Sequence, residues 1–94
     1  MARPTTVVRG ELAQVIMGLR AEYGETQQAF SNRLGIALNT VQRWELNETP
    51  SLEMLLRLID LAYGRKRRDL CRVMVKELTR DYGSIRQMLR VEWQ

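Results

Sequence analysis

The sequence contains no histidine and a single cysteine, Cys71, among its 94 residues. One cysteine cannot form a disulfide within the chain, and the lack of histidine excludes zinc sites built from histidine and cysteine. Catalytic triads with a histidine base and cysteine–histidine pairs are excluded within one chain for the same reason. We therefore expect no enzymatic activity, no catalytic residue, no metal site and no cofactor.

Long apolar runs are also absent. The longest uncharged stretch near the start, from Leu12 to Leu19, is too short to span a bilayer. Charged Arg9 and Glu11 precede it, and no small-residue cleavage site follows, so we expect no signal peptide. The lone thiol fits a reducing compartment. The sequence thus predicts a cytoplasmic protein with no membrane contact.

The charged residues are distributed unevenly along the chain. Residues 1–64 contain six Lys or Arg and seven Asp or Glu, whereas residues 65–94 contain nine and four. The net charge of +4 therefore originates entirely in the last third. A basic protein indicates an acidic partner such as nucleic acid.

Apolar residues recur at steps of three and four without the alternation typical of strands, which predicts an all-α fold of about five to six helices. The predicted helices run from about Thr6 or Gly10 to Tyr23, from Thr26 to Leu34, from Leu38 to Leu46, from Ser51 to Tyr63, from after Arg68 to Tyr82, and onward from Ser84.

Several helix ends can be assigned from single residues. Gly24 and Gly35 are predicted to adopt the positive φ that ends a helix. Asn47 can end the third helix in the same way, because asparagine is the residue other than glycine that most readily adopts a positive φ. Thr26 is expected to cap the second helix through its hydroxyl. Gly83 is predicted to end the fifth helix, before a capping-box pattern that begins at Ser84.

The second and third predicted helices form a tight corner. Phe30 and Leu34 are one turn apart before Gly35, and Val41 and Trp44 are three residues apart after it. These four residues are expected to face the core, with Trp44 inside rather than stacking on bases. The outer face of the third helix is then free, as in a helix-turn-helix whose second helix enters the DNA major groove. That outer face comprises Leu38, Asn39, Gln42 and Arg43.

The fourth predicted helix is the most apolar of the chain. The fourth is predicted to bury Leu52, Leu55, Leu56, Ile59 and Ala62, and Cys71 in the fifth is expected to be a small buried residue. In the fifth helix the residues in phase are Leu70, Val73, Met74 and Leu78.

Five short segments in and around this corner form an ordered pattern: Thr26-Gln27-Gln28, Leu34-Gly35-Ile36, Asn39-Thr40-Val41, Arg43-Trp44-Glu45 and Pro50-Ser51. Together they resemble the Cro/CI-type (XRE, lambda-repressor-like) helix-turn-helix DNA-binding family. The resemblance covers about Glu11 to Tyr63 and implies a lambda-repressor-like bundle with a C-terminal helical extension. We expect residues 1–64 to form the DNA-binding core and residues 65–94 a basic, dimerising extension, within one compact domain.

The resemblance also implies roles for individual residues. Gln27 matches a residue that contacts a DNA phosphate and braces the third helix, and Arg20 and Glu45 match a partly buried structural pair. The full implied DNA-binding set is Gln27, Gln28, Leu38, Asn39, Thr40, Gln42 and Arg43.

The sequence departs from the family pattern at three places. Ser31 replaces the usual alanine. Ala37 stands where Ser or Thr would cap the third helix, and Asn47 and Glu48 replace the glycine and basic residues common in the following loop. These departures put local phosphate contacts in doubt and leave the fold unaffected.

The basic run after Gly64 has three possible roles. It can be a solvated helix entry, a grip on DNA phosphates, or a surface for an acidic protein. The residues concerned are Arg65, Lys66, Arg67 and Arg68.

Three functions are compatible with the sequence. The first is a DNA-binding transcription regulator, a repressor acting as a homodimer on a palindromic double-stranded operator. The second is an antitoxin that binds its own promoter and masks a toxin through residues 65–94. The third is a protein-interaction module that does not bind DNA, which the net charge of −1 over residues 1–64 keeps open.

Overall fold

The computed structural model describes residues 9–93, with side chains described for residues 9–80. Within these residues the fold is all-helical, with five helices and no strand. The all-α prediction is therefore confirmed. The helices are α1 (Glu11–Glu22), α2 (Gln27–Leu34), α3 (Leu38–Trp44), α4 (Leu52–Gly64) and α5 (Arg68–Trp93).

A single helix occupies the region where two were predicted. α5 continues without a break through Gly83 and Ser84, so the predicted helix end and the predicted sixth helix are wrong. An interior glycine costs a helix only about 1 kcal/mol relative to alanine, and the apolar spacing of three and four continues across it. The capping-box pattern at Ser84 therefore does not begin a new helix, and α5 continues through it.

The chain divides into two compact units, Met1–Thr49 and Pro50–Gln94. The first contains α1, α2 and α3, and the second contains α4 and α5. The predicted functional division into residues 1–64 and 65–94 stays a prediction.

The core of the first unit is built from the residues that the helical spacing selected. Phe30, Leu34, Val41 and Trp44 are each no more than 2% exposed, which confirms their predicted place in the core. Each large side chain buried in this way contributes about 1.5–3 kcal/mol. From α1 the unit buries Ala13, Val15, Ile16 and Leu19.

The corner between α2 and α3 has the predicted turn chemistry. The Thr26 hydroxyl oxygen accepts a hydrogen bond from the Ala29 amide at 3.1 Å, and Gly35 adopts φ +69°. The amide of Ile36 donates to the Ser31 carbonyl at 3.0 Å and closes the turn. Ser31 is fully buried, and its hydroxyl donates to the Gln28 carbonyl at 2.7 Å, so its polar atom is satisfied.

Both ends of α3 have the local structure that the sequence predicts. Ala37 at the N-cap provides no side-chain hydrogen bond, as expected for alanine. Asn47 adopts φ +78° after the helix, which confirms its predicted positive φ. Its side-chain oxygen accepts a hydrogen bond from the Gly10 amide at 2.7 Å, which joins the loop after α3 to the start of α1.

The second unit corrects the predicted burial of α4. Leu55 and Ala62 are buried as predicted, but Ile59 is only half-buried, and Leu52 and Leu56 are 52% and 51% exposed. Leu58, which was not predicted, is fully buried. Leucines surround so much of α4 that their spacing alone does not select the face that packs against α5.

Cys71 is half-buried rather than buried, which corrects a second expectation. Its thiol donates to the Ile59 carbonyl at an Sγ–O distance of 3.6 Å, which links α5 to α4. Partial burial raises the pKa of the Cys71 thiol, and the nearby Asp69 carboxylate adds to the effect. Among the residues described, no helix combines the length and apolar character needed to cross a membrane.

Replacing Gly35 by alanine tests whether the corner depends on its backbone conformation. A Cβ at Gly35 would meet no atom within 4 Å, so the cost comes from the positive φ alone. We expect Gly35→Ala to lower the free energy of unfolding by about 1–2 kcal/mol in urea melts. Gly64→Ala is the matched control, because Gly64 ends α4 without a positive φ and is equally open. It should leave stability unchanged or raise it by up to about 1 kcal/mol. Equal losses in the two variants would contradict this account of the turn.

Candidate nucleic-acid interface

The outer face of α3 is open to solvent. Asn39, Gln42 and Arg43 are exposed, and Leu38 and Thr40 are half-buried. Residues 39, 42 and 43 lie three and four positions apart and therefore share one side of the helix. Val41 and Trp44, on the other side, are buried. Within seven residues, α3 thus separates a packed apolar side from an exposed polar side.

The side chains of this outer face carry groups that can read base edges. The amides of Asn39 and Gln42 each offer a donor and an acceptor, and neither makes a hydrogen bond among the side chains described through Arg80. Amides of this kind pair with adenine, and a guanidinium such as that of Arg43 pairs with guanine. The face therefore has the chemistry required for direct readout of duplex DNA.

Arg43 already has a partner within the chain. Its Nε donates to Oε2 of Glu48 at 3.2 Å, and the two side chains are 53% and 51% exposed. The Glu48 amide in turn donates to the Arg43 carbonyl at 2.9 Å, which folds the loop back against the end of α3. An acidic side chain therefore lies within the outward-facing polar surface.

The carboxylate of Glu45 is the main polar contact beneath this surface. Its side chain is 3% exposed and receives Arg20 Nε at 2.8 Å on Oε2 and Arg20 Nη2 at 3.2 Å on Oε1. Gln27 Nε2 donates to the same Oε1 at 2.8 Å. Arg20 lies in α1, Gln27 begins α2 and Glu45 follows α3, so one carboxylate joins all three helices.

A second arginine contacts the backbone at this point. Arg9 Nε donates to the Glu45 carbonyl at 2.7 Å, in a partly buried hydrogen bond. We call Arg9, Arg20, Gln27 and Glu45 the Glu45 cluster. Because it fixes both the side chain and the carbonyl of Glu45, the cluster holds the C-terminal end of α3.

The two glutamines at the start of α2 have different surroundings. Gln27 is half-buried and uses its amide nitrogen on Glu45, whereas Gln28 is exposed. Gln28 Nε2 donates to Asn32 Oδ1 at 3.1 Å and to Ser31 Oγ at 3.3 Å. The implied phosphate contact of Gln27 and the implied DNA contact of Gln28 stay predictions.

The basic run lies in the second unit and extends from the end of α4 to Arg68, the first residue of α5. Arg65, Lys66 and Arg68 are exposed, and Arg67 is half-buried. Arg67 pairs with Asp69 through Nη2–Oδ2 at 2.8 Å and Nε–Oδ1 at 3.0 Å. Hydrogen bonds from Arg67 lower the pKa of the Asp69 carboxyl to about 2. Asp69 therefore stays ionised and offsets part of the positive charge of the run.

Arg9 and Glu48 belong to the site, but the sequence did not predict their contacts. Arg9 precedes α1 and reaches a carbonyl 36 positions away, which no local spacing indicates. Glu48 follows Arg43 by five positions, beyond the spacing of three or four that pairs residues on a helix. The positive φ of Asn47 brings Glu48 back toward Arg43, and this turn was the available signal.

Part of the chain matches a known protein family. Residues 16–61 match the sequence model of a family described as helix-turn-helix. The matched segment includes all of α2 and α3 and most of α1 and α4. Comparison with curated proteins and with solved structures gave no match.

Breaking the buried ion pair tests how much α3 depends on the Glu45 cluster. We expect Arg20→Met to lower the free energy of unfolding by about 3 kcal/mol, because it leaves the buried Glu45 carboxylate without its cation. Arg33→Met is the matched control. It breaks an Arg–Glu pair of nearly equal length, with Nε–Oε1 of Glu25 at 2.9 Å, at a more exposed place.

The control should cost about 1 kcal/mol, even though it also removes the Arg33 contact with the Tyr23 ring. Chemical denaturation measures the free energy of unfolding of both variants. A loss for Arg20→Met no greater than that for Arg33→Met would show that the cluster does not determine stability.

Proposed function

We propose, given that residues 16–61 belong to the Cro/CI-like (XRE-type) helix-turn-helix family, that this chain is a sequence-specific DNA-binding transcription regulator. The family is one of DNA-binding regulators and is generally non-enzymatic. The observation that supports the proposal most directly is the exposure of Asn39, Gln42 and Arg43 above the buried Trp44.

Recognition would occur through the outer face of α3 in the major groove. Arg43 can donate two hydrogen bonds to guanine O6 and N7, and Asn39 or Gln42 can pair in the same way with adenine. Each such pair contributes about 1–3 kcal/mol of discrimination against the wrong base. Leu38 offers an apolar contact, for example to a thymine methyl group. Two or three contacts of this kind specify a short half-site only partly.

We therefore propose that the regulator binds as a homodimer to a palindromic operator, with half-sites about 34–36 Å apart. Exposed apolar residues in the second unit support self-association. Leu52, Leu56 and Tyr63 are more than half exposed and share one face of α4, at steps of four and seven. A second copy would cover this face. By occupying a promoter, the dimer would act as a repressor in the cytoplasm.

The salt dependence of duplex binding tests whether the basic run grips phosphates. The logarithm of the affinity should fall with the logarithm of salt at a slope of about −0.9 per neutralised phosphate. We expect replacement of Arg65, Lys66 and Arg68 by alanine to weaken all duplexes alike and to flatten this slope. Arg67 is retained so that its pair with Asp69 stays intact.

The control for that experiment removes an equal charge from exposed helical positions. Arg57, Arg72 and Lys76 are exposed on α4 and α5, and their replacement by alanine should change the slope less. If both triple variants have the affinity and the salt slope of the parent, the basic run does not bind DNA phosphates. If the parent itself retains no duplex at low ionic strength, the protein-interaction module replaces the regulator.

Selection of duplexes from a random pool tests the recognition surface. We expect the parent to select a palindromic site and Arg43→Ala to lose the preference at one base pair of each half-site, because its bidentate contact is gone. Arg57→Ala, another exposed arginine, should select the same site as the parent. An unchanged site for Arg43→Ala would contradict the proposed role of α3. A toxin that copurifies and is released by substitutions in residues 65–94 would indicate the antitoxin.

A further inference from the structure

We propose that Glu48 is a positioning residue that holds Arg43 for guanine and disfavours its contact with phosphate. This inference rests on the proposed function, since it concerns how the outer face of α3 discriminates between bases. Glu48 is acidic at a place where a positive charge would increase the affinity for DNA. The proposal gives this side chain a role in specificity instead.

The backbone fixes Glu48 beside Arg43. Asn47 turns the chain with φ +78°, and the Glu48 amide then donates to the Arg43 carbonyl at 2.9 Å. The side chains meet on the same side, with Arg43 Nε at 3.2 Å from Glu48 Oε2. Two separate hydrogen bonds thus join the same two residues, one through the backbone and one through the side chains.

The contact leaves the reading groups of Arg43 available. Glu48 accepts from Nε, and within the described side chains Nη1 and Nη2 of Arg43 make no hydrogen bond. Guanine offers O6 and N7 as adjacent acceptors, which two guanidinium N–H groups can contact together. Arg43 can therefore bind guanine through its terminal groups while Glu48 continues to hold Nε.

The negative charge of Glu48 also opposes the main competing contact. An unrestrained arginine at a DNA surface can bind a phosphate, which adds affinity for every sequence alike. The Glu48 carboxylate repels phosphates and gives the guanidinium a local counterion. Both effects lower the affinity for non-target duplexes more than for the target.

The expected size of the effect follows from the order imposed on Arg43. Restricting a long side chain before it binds removes an entropic cost equivalent to about a two- to tenfold change in affinity. That gain is realised only where Arg43 makes its contact, at the guanine. Because both side chains are about half exposed, the pair itself contributes little to folding.

The experiment measures binding to four duplexes that differ at a single base pair. The parent's site is first selected from a random pool, and the guanine whose preference is lost in Arg43→Ala is replaced in turn by the other three bases. We expect Glu48→Gln to reduce the preference for guanine by about two- to tenfold while affinity for the other three duplexes rises.

Two controls make the result specific. Glu25→Gln makes the same charge change and breaks another Arg–Glu pair of the first unit, with Arg33, and should leave the guanine preference unchanged. In an Arg43→Ala background, Glu48→Gln should have no effect on the preference, because the side chain that it positions is absent. Thermal melts verify that all variants are folded.

The outcomes separate this inference from the proposed function. An unchanged guanine preference in Glu48→Gln overturns the positioning role while duplex binding and the role of α3 stand. An equal loss in Glu25→Gln, or a loss that persists in the Arg43→Ala background, also overturns it. Failure of the parent to bind any duplex at low ionic strength contradicts the proposed function itself.

Discussion

The buried carboxylate of Glu45 is the contact on which the geometry of the first unit depends. A charge that is 3% exposed must be paired and hydrogen-bonded, and Arg20 and Gln27 meet this requirement from two different helices. Arg9 adds a hydrogen bond to the carbonyl of the same residue. If α3 rotated or slid, these bonds would lengthen together, so the cluster specifies one orientation of the helix. The Glu45 cluster therefore determines the orientation of α3 as well as contributing to the stability of the first unit.

The orientation determines what α3 offers to solvent. Trp44 immediately precedes Glu45, so the cluster that fixes the carboxylate also directs the indole into the core. The opposite side of this short helix then carries Asn39, Gln42 and Arg43 outward. A seven-residue helix has little intrinsic stability, because helix formation is costly to nucleate. Tertiary contacts at its C-terminal end therefore do more to keep it in place than its own backbone hydrogen bonds.

Much of the first unit could be predicted because its signals are local. The positive φ of Gly35 and Asn47 and the burial of Trp44 follow from residue type and helical spacing. The second unit was harder for physical reasons. Leucines surround α4 so fully that Leu52 was wrongly placed in the core, and the cost of Gly83 within α5 was too small to end the helix.

The candidate interface shows the same division between local and distant signals. The outward side chains of α3 were predicted from their phase relative to Val41 and Trp44. The contacts of Arg9 with Glu45 and of Glu48 with Arg43 were not, because they depend on the path of the chain between α1 and the loop after α3. Long-range contacts of this kind have no periodic signature in the sequence.

The most direct measurement is an NMR structure determination of the chain bound to a duplex selected from a random pool. Intermolecular nuclear Overhauser effects should connect the side-chain amides of Asn39 and Gln42 to protons of the major-groove base edges. The Trp44 indole should show none. If instead α3 shows no contact with DNA while the duplex is bound through other residues, the account of this helix as the reading surface is contradicted.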